Sequence, residues 1–531
     1  MFNNVYDKES LAEFLNISVS ALLFLCHGKK NKLYREFTIP KKSGGTRTIC
    51  APKGNLVNVQ RRLAEELRHY YKKPVVVMGF EPNTSIVKNA EKHVGKKFLI
   101  NIDLKDFFNQ ITIKRVIGML RKVTKLSNEV CVMLAQLLTA DGILPTGSPA
   151  SPLISNMVFF GVDNIVISYL KNSNICYTRY ADDLTFSFND ESLLHLFFDD
   201  DDCTVLCKKF QLIFDGNDFP LNLKKVRIQK NSEHQRVTGI KVNKKLNLTK
   251  KYINFIRMQL HLCEKYGMDS VAKHYFESKG IGYSDSLLIK YKNVLAGKIS
   301  FLKMVKFSKK EKQYKNFASA YNLIVKKRSL KIHSTDIKEI KNNSILLCED
   351  YEGGAGTAFF YRGKIITCSH VLEVLERRKN GFQKDYEVCL GSSKTIVRAK
   401  LVAQSSEHEY DYAIFEPTNA FDYYDLERSN INLNDNEEIK IVGFPDYSNN
   451  AHQKVSVTPG DITTSRDNTD GKGTIYVTNI PVKPGNSGGP VLDKDNKVAG
   501  YMVYGAKDDK TCYFENGFLD ISYIDKAIDE L

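Results

Sequence analysis

The first residues of the sequence lack a hydrophobic run long enough to cross a lipid bilayer. The longest apolar run in this region, SALLFLCH at residues 20–27, is far shorter than the roughly 20 residues that a membrane-spanning helix needs. A basic segment followed by a cleavage site is missing as well, so the sequence shows no signal peptide. We therefore expect a soluble, intracellular protein that does not bind membranes.

Paired cysteines are also missing. The 531 residues include 11 cysteines, an odd number, and none of them forms a Cys-x-x-Cys pair. This pattern is typical of reduced thiols in a cytosolic protein and gives no sign of a disulfide framework. The chain is too long for one hydrophobic core, which predicts about two to four domains.

Acidic residues are scarce only in the first part of the chain. Residues 1–340 hold 56 Lys and Arg against 31 Asp and Glu, a net charge of +25, whereas residues 341–531 hold 21 against 30, a net charge of −9. The basic part has the charge of a nucleic-acid-binding protein, because Lys and Arg release counterions from phosphates. Charge alone is weak evidence, since basic surfaces also keep proteins soluble.

Three aspartates lie at the ends of apolar, strand-like segments in the basic part. Asp103 ends KKFLINID, and Asp182 and Asp183 lie between two apolar stretches in CYTRYADDLTFSF, as the turn of a β-hairpin does. An isolated Asp pair in a turn is usually only a solvated turn former. Three converging carboxylates repel one another unless cations neutralise them, and hard oxygen ligands suit Mg²⁺. Two such ions activate an attacking hydroxyl and stabilise a leaving pyrophosphate.

The motifs NIDLKDFF, LPTGSPASPLISN and YADD follow one another in the order of the palm motifs of reverse transcriptases. Residues 1–330 resemble that family. The resemblance implies a multidomain protein that begins with an α+β right-hand polymerase, with fingers and palm to about residue 248 and a helical thumb at about 249–330. It also implies that Asp103, Asp182 and Asp183 bind two Mg²⁺ ions.

The same resemblance assigns residues to the incoming nucleotide. Phe108 would stack under the sugar and exclude a 2′-hydroxyl, which selects dNTPs. Thr146 and Gly147 would line the nucleotide and the template, although the family often has Gln in place of Thr146, which affects the hydrogen bond to the nucleotide. The fingers motif is similar to KKSGGTRTICAP, which makes Arg47 a candidate ligand of the triphosphate.

Two further stretches, NAEKH at residues 89–93 and VTG at residues 237–239, resemble the two signatures of retron reverse transcriptases. Such bacterial enzymes fold with a structured noncoding RNA, prime from a 2′-hydroxyl of a guanosine in it, and make a branched RNA–DNA molecule called msDNA. The resemblance implies a cognate noncoding RNA and msDNA as partners in the bacterial cytoplasm. It leaves open whether the protein is a homo-oligomer.

Lysine-rich sequence with helical spacing follows these motifs and runs to residue 330, where the family has its thumb. Tyr252, Phe255 and Tyr291 are interleaved with the lysines and are predicted to grip RNA or the growing duplex. A solvated helix face is the alternative for any single lysine. Residues 331–343 are polar and irregular, which predicts a linker.

The sequence after the linker changes to short, Gly-rich, β-branched segments, which predict an all-β barrel domain at residues 344–531. His370 follows the strand-like GTAFFYRGKIITCS, Asp411 precedes an apolar strand in YDYAIFEP, and Ser487 lies in KPGNSGGPV. The order His, Asp, Ser is that of chymotrypsin-like enzymes.

This second part resembles trypsin-like serine proteases with two β-barrels, in particular the bacterial high-temperature-requirement and glutamyl endopeptidase types. The resemblance makes Ser487 the nucleophile, His370 its base and Asp411 the group that holds the imidazole, with no cofactor. The N–H groups of Gly485 and Ser487 would form the oxyanion hole. Asn486 stands where digestive relatives have the Asp that pairs with a newly cut N-terminus, so we expect control of another kind.

The pocket for the substrate residue before the cut is predicted from two positions. Pro481 and Met502 would occupy places where charge or histidine gives the relatives a preference for basic or acidic residues. Because neither position carries charge, a small or apolar substrate residue is expected.

The sequence as a whole predicts a retron reverse transcriptase that makes msDNA, fused to a serine protease that acts on an unknown protein as effector of antiphage defence. Two alternatives stay open. One is a nucleoprotein scaffold whose protease fold binds a partner without cleaving it. The other is a polyprotein that cuts its own linker, which would appear as two bands on a gel of the expressed protein.

Overall fold

A computed structural model describes the chain except for residues 1, 3, 41–43, 283, 307–311, 379–384, 392–394, 406–408, 448–453, 468–472 and 505–515. The chain forms two compact units, Met1–Thr249 and Lys250–Leu531. The first unit holds the segments predicted as fingers and palm. The segment predicted as the thumb belongs to the same compact unit as the segment predicted as the protease, while the predicted domain limits at residues 330 and 344 stay a prediction.

The first unit contains helices and strands in alternation. Its helices are α1 (Lys8–Leu15), α2 (Val19–His27), α3 (Lys30–Leu33), α4 (Asn55–Arg68), α5 (Ile86–Glu91), α6 (Ile113–Val123), α7 (Asn128–Leu138), α8 (Ser151–Tyr169) and α9 (Lys208–Asp215). Its strands are β1 (Tyr34–Pro40), β2 (Thr46–Pro52), β3 (Phe98–Asp103), β4 (Cys176–Tyr180), β5 (Asp183–Phe188), β6 (Arg227–Lys230), β7 (Arg236–Val237) and β8 (Ile240–Lys241).

A four-stranded antiparallel sheet with the order β4-β5-β3-β6 lies at the centre of the first unit. Leu99 and Ile100 of β3 and Phe186 of β5 are completely buried. Such continuous apolar runs are typical of strands covered on both faces. The hairpin predicted around YADD is confirmed, since β4 and β5 pair directly on either side of the turn.

Residues 112–138 have apolar residues at helical spacing throughout, and in the structure they form two helices, α6 and α7. Ser127 accepts a hydrogen bond from the Val130 N–H and begins α7, so the local cap decides where the second helix starts. The fingers motif includes β2, which pairs with β1 in an antiparallel hairpin. Its first residues, 41–43, lie outside the described residues.

Among the described residues, α8 has the length and apolar composition of a membrane-spanning helix, and the pair α1 and α2 passes the same test with a bend of 96°. Ile154, Phe159 and Val166 of α8 are buried inside the first unit, as in the core helix of a globular domain. The predicted absence of membrane binding stays a prediction.

The second unit begins with helices and continues as β-structure. Its helices are α10 (Lys250–Tyr266), α11 (Met268–Glu277), α12 (Asp285–Lys306), α13 (Lys312–Val325), α14 (Ile337–Asn343), α15 (Leu372–Arg378) and α16 (Ser522–Asp529). Its strands are β9 (Ile345–Glu349), β10 (Ala355–Tyr361), β11 (Lys364–Thr367), β12 (Tyr386–Leu390), β13 (Ile396–Gln404), β14 (Ala413–Pro417), β15 (Glu438–Gly443), β16 (Ser456–Asp467), β17 (Thr474–Thr478), β18 (Pro490–Asp493), β19 (Val498–Tyr504) and β20 (Gly517–Asp520).

Two closed six-stranded barrels make up the β-structure, which confirms the predicted double-barrel fold. The first barrel has the order β10-β11-β14-β13-β12-β9, and the second has the order β15-β16-β17-β20-β19-β18. Closure leaves no free sheet edge in either barrel.

Helices α10 to α13 share an apolar core, and Tyr291 belongs to it. Only 1% of Tyr291 is exposed, and its hydroxyl lies 2.5 Å from Gln259 Oε1. The prediction that Tyr291 grips nucleic acid is therefore wrong, because its ring fills the space between helices. Tyr252 and Phe255 are partly buried, and the Lys298 ammonium lies about 5 Å from both ring centres.

Residues 331–343, predicted as a linker, are structured. Ile332 is completely buried, and its carbonyl accepts a 2.9 Å hydrogen bond from the Asp425 N–H. Asn496 Nδ2 donates to the Thr335 carbonyl at 3.0 Å, and α14 occupies the rest of the segment. The polar residues that predict a loop here are satisfied by tertiary hydrogen bonds, which composition does not reveal.

A buried ion pair joins this region to the first barrel. Arg328, just after α13, pairs with Asp425, which is completely buried. Asp425 also accepts a 3.1 Å hydrogen bond from the Gly363 N–H, and the Arg328 guanidinium lies 4.5 Å from the Tyr423 ring centre. Side-chain contacts, in addition to the covalent chain, therefore connect the helical region α10–α13 (residues 250–330) to the first barrel.

Candidate active sites

The three aspartates of the polymerase motifs come together at one end of the four-stranded sheet β4-β5-β3-β6, called the palm sheet below. β3 pairs with β5 so that Asp103 lies directly opposite Asp183, while Tyr180 lies opposite Asp183 across the β4–β5 hairpin. Asp182 lies in the turn, and its carbonyl accepts a 3.0 Å hydrogen bond from the Leu104 N–H. Strand register therefore places carboxylates that are 80 residues apart in sequence side by side.

Electrostatics at this end of the sheet disfavour the ionised carboxylates. Displacement of water by the surrounding protein, followed by repulsion from Asp182 and Asp103, raises the pKa of Asp183 to about 6, although Asp183 keeps contact with solvent. Burial is also the main cause that raises the pKa of Asp182. A cation relieves both effects, so the donor set fits a hard divalent ion such as Mg²⁺.

Two residues that sequence reasoning missed contact Asp103. Lys225 Nζ lies 2.8 Å from Asp103 Oδ2, and Asn222 donates through both its N–H, at 2.8 Å to the Asp103 carbonyl, and its side chain, at 3.2 Å to Oδ2. Both lie in LNLKK, in the stretch before VTG, which carries no local signal of a contact with Asp103. Their place beside Asp103 depends on β6 pairing with β3.

Arg47 and Phe108, predicted to contact the nucleotide, lie on different elements. Arg47 is exposed on β2, and its charge lowers the pKa of Asp182, opposing the effect of burial there. Phe108 is partly buried and packs edge-on against Phe107, with ring centres 5.5 Å apart. Their predicted roles stay predictions.

Thr146 and Gly147 contact β2, the strand of the fingers motif. Thr146 Oγ1 lies 3.2 Å from the Thr48 carbonyl and 3.4 Å from the Cys50 N–H, and the Gly147 N–H donates to the Cys50 carbonyl at 3.0 Å. A Cβ atom on Gly147 would lie 2.7 Å from that carbonyl, so only glycine allows this approach. In this arrangement Thr146 holds β2 in place.

Of the two segments that resemble retron signatures, one braces the β4–β5 hairpin and the other contacts α5. His93 of NAEKH is completely buried between Ser187 and Thr178, with both ring nitrogens 2.7 Å from a hydroxyl oxygen. Burial lowers the pKa of His93 to about 3, so the ring is neutral. Thr238 of VTG donates to the Ile86 carbonyl at 3.2 Å and so ties that turn to α5.

The protease residues His370 and Asp411 meet where β11 and β14 run side by side. Thr367 pairs with Ala413, so the residues that follow β11 lie next to those that precede β14. His370 Nδ1 lies 2.7 Å from Asp411 Oδ2, and the His370 N–H donates to Asp411 Oδ1 at 3.1 Å. Only 3% of Asp411 is exposed, so the carboxylate that holds the imidazole is itself shielded from water.

Ser487 lies on a turn that only glycines permit. Gly485 has φ of +96° and Gly488 has φ of +81°. A Cβ on Gly485 would lie 2.1 Å from the Phe444 carbonyl, and one on Gly488 would lie 2.2 Å from Thr367 Oγ1. The turn therefore packs against the end of β11, the strand that leads to His370.

The peptide groups around Ser487 are fixed on their carbonyl sides. The Pro484 carbonyl accepts from the Asp446 N–H at 3.1 Å, and the Asn486 carbonyl accepts from the Gly489 N–H at 2.9 Å. The N–H groups of the same two peptides, those of Gly485 and Ser487, point the opposite way and find no acceptor among the described residues. Two such free donors suit a developing oxyanion.

Thr357 on β10 is a supporting residue that sequence reasoning missed. Its hydroxyl donates to the Gly485 carbonyl at 2.6 Å, and its N–H donates to the Ser487 carbonyl at 2.8 Å. A threonine inside GTAFF carries no local signal of this role, because the contact spans the two barrels.

Of the residues predicted to line the specificity pocket, Met502 is completely buried and Pro481 is exposed. Met502 packs in an apolar cluster with Val482 and Phe518. Met502 lies in the segment AGYMVYG, whose last residue, Gly505, is outside the described residues. The expected preference for a small or apolar substrate residue stays a prediction.

Family models match both halves of the chain. Residues 39–242 match the model described as reverse transcriptase (RNA-dependent DNA polymerase), and residues 355–500 match the model described as trypsin-like peptidase domain.

Curated relatives match the first half. The retron Mx65 reverse transcriptase of Myxococcus xanthus is 32% identical over 275 residues, which are 48% of this chain and 62% of the relative. The retron Ec83 reverse transcriptase of Escherichia coli is 30% identical over 234 residues, 42% of this chain and 73% of the relative. The chain thus spans less than two thirds of the Mx65 relative.

Solved structures match the second half. A serine endoprotease from Yersinia pestis is 15% identical, with 37% of this chain and 66% of that one covered and a TM-score of 0.28. The protease Deg5 is 20% identical, with 36% and 91% covered and a TM-score of 0.29.

A palm with three adjoining aspartates and a pair of barrels with His370, Asp411 and Ser487 define a reverse transcriptase joined to a trypsin-like serine peptidase. Within that class, the chain belongs to the family of retron reverse transcriptases.

Proposed function

We propose that this chain makes msDNA from a cognate structured noncoding RNA and dNTPs, and that its peptidase is the effector of an antiphage system. The observation that carries the first part is the strand register that sets Asp103 opposite Asp183 beside the Asp182 turn. Asp103, Asp182 and Asp183 would hold two Mg²⁺ ions, which activate the attacking hydroxyl and stabilise the leaving pyrophosphate.

Charge supports nucleic acid as the partner of the helical region. Residues 250–330 carry 18 Lys and Arg against 5 Asp and Glu. If the basic residues of the chain neutralise about six to ten phosphates, affinity for the cognate RNA falls by about 10³ to 10⁵ between 50 and 200 mM salt. A flat salt titration of RNA binding would contradict this assignment.

The peptidase half supports cleavage by a serine nucleophile. Ser487 Oγ would attack a peptide carbonyl while His370 takes its proton, and Asp411, already bonded to Nδ1, stabilises the resulting imidazolium. The N–H groups of Gly485 and Ser487 would receive the oxyanion. Because neither Pro481 nor Met502 carries charge, we expect substrates with a small or apolar residue before the cut.

Two other functions compete with this proposal. A scaffold that cleaves nothing leaves the His370–Asp411 hydrogen bond and the glycine turn around Ser487 without a purpose. Self-processing within residues 331–343 is disfavoured because this segment is hydrogen-bonded to the rest of the second unit and partly buried, whereas proteolysis needs exposed, extended chain.

The proposal is tested with three strains: wild type, Ser487→Ala, and Asp182→Asn with Asp183→Asn. Ser487→Ala is expected to keep msDNA synthesis and lose phage protection, because the serine oxygen acts only in peptide cleavage. The double Asp variant is expected to lose msDNA, and any toxicity it causes should vanish when Ser487→Ala is added. Plaque formation, growth and msDNA are measured side by side. Protection that survives Ser487→Ala favours the scaffold.

A further inference from the structure

Phe80 has an unusual backbone conformation for an aromatic residue. Its φ is +65°, in the left-handed region that bulky L-residues rarely adopt. Burial does not compensate for this strain, because 39% of Phe80 is exposed. Strained conformations of this kind persist only where the surrounding structure imposes them, and they concentrate at functional sites.

Contacts with β4, the strand that leads into YADD, impose the left-handed conformation of Phe80. The Met78 N–H donates to the Arg179 carbonyl at 2.8 Å, and the Arg179 N–H donates to the Val76 carbonyl at 2.8 Å, so this segment runs beside β4. Gly79 then passes so close to the turn that a Cβ on it would lie 2.6 Å from the Ala181 nitrogen. The segment before Phe80 is therefore held against the strand that leads to Asp182.

The residues on either side of Phe80 are also fixed. Asn156, completely buried on α8, donates to the Gly79 carbonyl at 3.0 Å and to Glu81 Oε1 at 2.7 Å. Arg68 on α4 forms a 2.9 Å ion pair with Glu81. With both neighbours anchored, the direction of the Phe80 side chain is set by the palm and not by its own preference.

The Phe80 ring points toward the residues that surround the nucleotide site. Its centre lies 6.5 Å from that of Phe108, with the ring planes at 63°, and 6.4 Å from that of Tyr180. Tyr180 lies opposite Asp183 in the hairpin. Phe80 thus stands between the proposed sugar-contacting residue and the strand that carries the aspartates.

We propose that Phe80 is a positioning residue for nucleotide selection: its ring supports Phe108 so that Phe108 cannot turn aside when a ribonucleotide enters. The inference rests on the proposed role of Phe108 in excluding a 2′-hydroxyl. Phe108 is only partly buried, so a second ring beside it restricts its movement. Edge-to-face contacts between aromatic rings have the geometry and strength for this support.

The test uses the full-length protein with Mg²⁺, a DNA primer and an RNA template that presents G. The measured quantity is the ratio of kcat/KM for dCTP to kcat/KM for CTP. Phe80→Gly removes the ring and suits a positive φ, so the fold is expected to survive. Its selectivity is expected to fall about threefold to tenfold, through better use of CTP.

Two variants serve as controls for Phe80→Gly. Phe80→Tyr keeps a ring and is expected to keep the selectivity. Asn83→Gly, at φ of +59° in the same segment, introduces the same glycine flexibility without removing a ring and is expected to change nothing. Melting temperatures of all variants establish that they are folded.

Phe108→Ala separates failure of the inference from failure of the assignment on which it rests. If Phe108→Ala loses selectivity and Phe80→Gly keeps it, Phe80 does not position Phe108. An equal loss of dCTP and CTP use in Phe80→Gly would reduce Phe80 to a structural role and overturns the inference too. If Phe108→Ala itself keeps the selectivity, the role of Phe108 is wrong and the inference falls with it.

Discussion

The two candidate active sites of this chain are held together in opposite ways. In the palm, sheet register brings carboxylates together that repel one another, and Asp183 stays open to solvent with a pKa raised to about 6. In the protease, Asp411 is buried and already bonded to His370. The carboxylates of the palm site repel one another unless a cation neutralises them, whereas the acidic group of the protease site is already neutralised in part by its hydrogen bonds to His370.

The largest expected effect is the loss of polymerase activity in a variant whose protease site is unchanged. Asp182→Asn with Asp183→Asn removes two of the three charges that are proposed to hold Mg²⁺. Their loss should raise the activation barrier by several kcal/mol, so primer extension should fall below detection. Labelling of Ser487 by a fluorophosphonate should proceed at the wild-type rate. Normal extension by this variant, measured on a denaturing gel, would contradict the metal assignment.

The reverse test removes the peptidase activity and leaves the polymerase site unchanged. Asp411→Asn keeps the geometry but favours the wrong imidazole tautomer, so peptidase turnover should fall by about 10⁴ while primer extension is unchanged. A chelator such as EDTA should do the opposite, stopping extension and sparing the peptidase. Peptidase activity that disappears with EDTA would show that the second site also depends on a cation.

A smaller effect concerns the ion pair that ties the helical region to the first barrel. Arg328→Met leaves the buried Asp425 charge unpaired, which should lower the free energy of unfolding by about 3–5 kcal/mol, measured by denaturant titration. Arg362→Met is the matched control, because Arg362 is 39% exposed and pairs with Asp525 and Asp529 near the surface. The control should lose less than about 1 kcal/mol. Equal losses in the two variants would mean that the buried ion pair stabilises the fold no more than the exposed pair does.

The smallest effect is a pH dependence of the palm. Because the pKa of Asp183 is about 6 in the folded protein and 3.8 ordinarily, the folded state holds this proton more tightly, and stability is lost as the pH rises from about 3.8 through about 6. Asp183→Asn should therefore melt a few degrees higher than wild type at pH 7.5 without divalent ions, and the difference should vanish near pH 4.

Magnesium provides the second half of this test. Mg²⁺ should raise the melting temperature of the wild type by binding the folded state, and it should raise that of Asp183→Asn much less. Asp201→Asn, which changes an exposed carboxylate elsewhere in the first unit, should leave both the pH profile and the Mg²⁺ response unaltered. A Mg²⁺ response that is the same in all three proteins would argue against binding at the palm.

Sequence alone was sufficient for features that short segments encode. The hairpin of YADD, the apolar strand before Asp103 and the glycine turn around Ser487 each depend on neighbouring residues, and each is present in the structure. An all-β barrel domain follows from many short β-branched segments in succession, whereas the pair of barrels is implied by the resemblance to trypsin-like proteases. Local propensity and pattern act over a few residues, so a reader of the sequence sees them directly.

Tertiary structure decided which residues support those motifs. Thr357 reaches the Ser487 turn from another barrel, Lys225 reaches Asp103 through strand pairing, and Phe80 is turned toward Phe108 by a strained backbone. Tyr291, an aromatic residue among lysines, proved to be core. These outcomes depend on contacts between segments far apart in the chain, and a linear pattern of residue types does not specify which distant surface each side chain will meet.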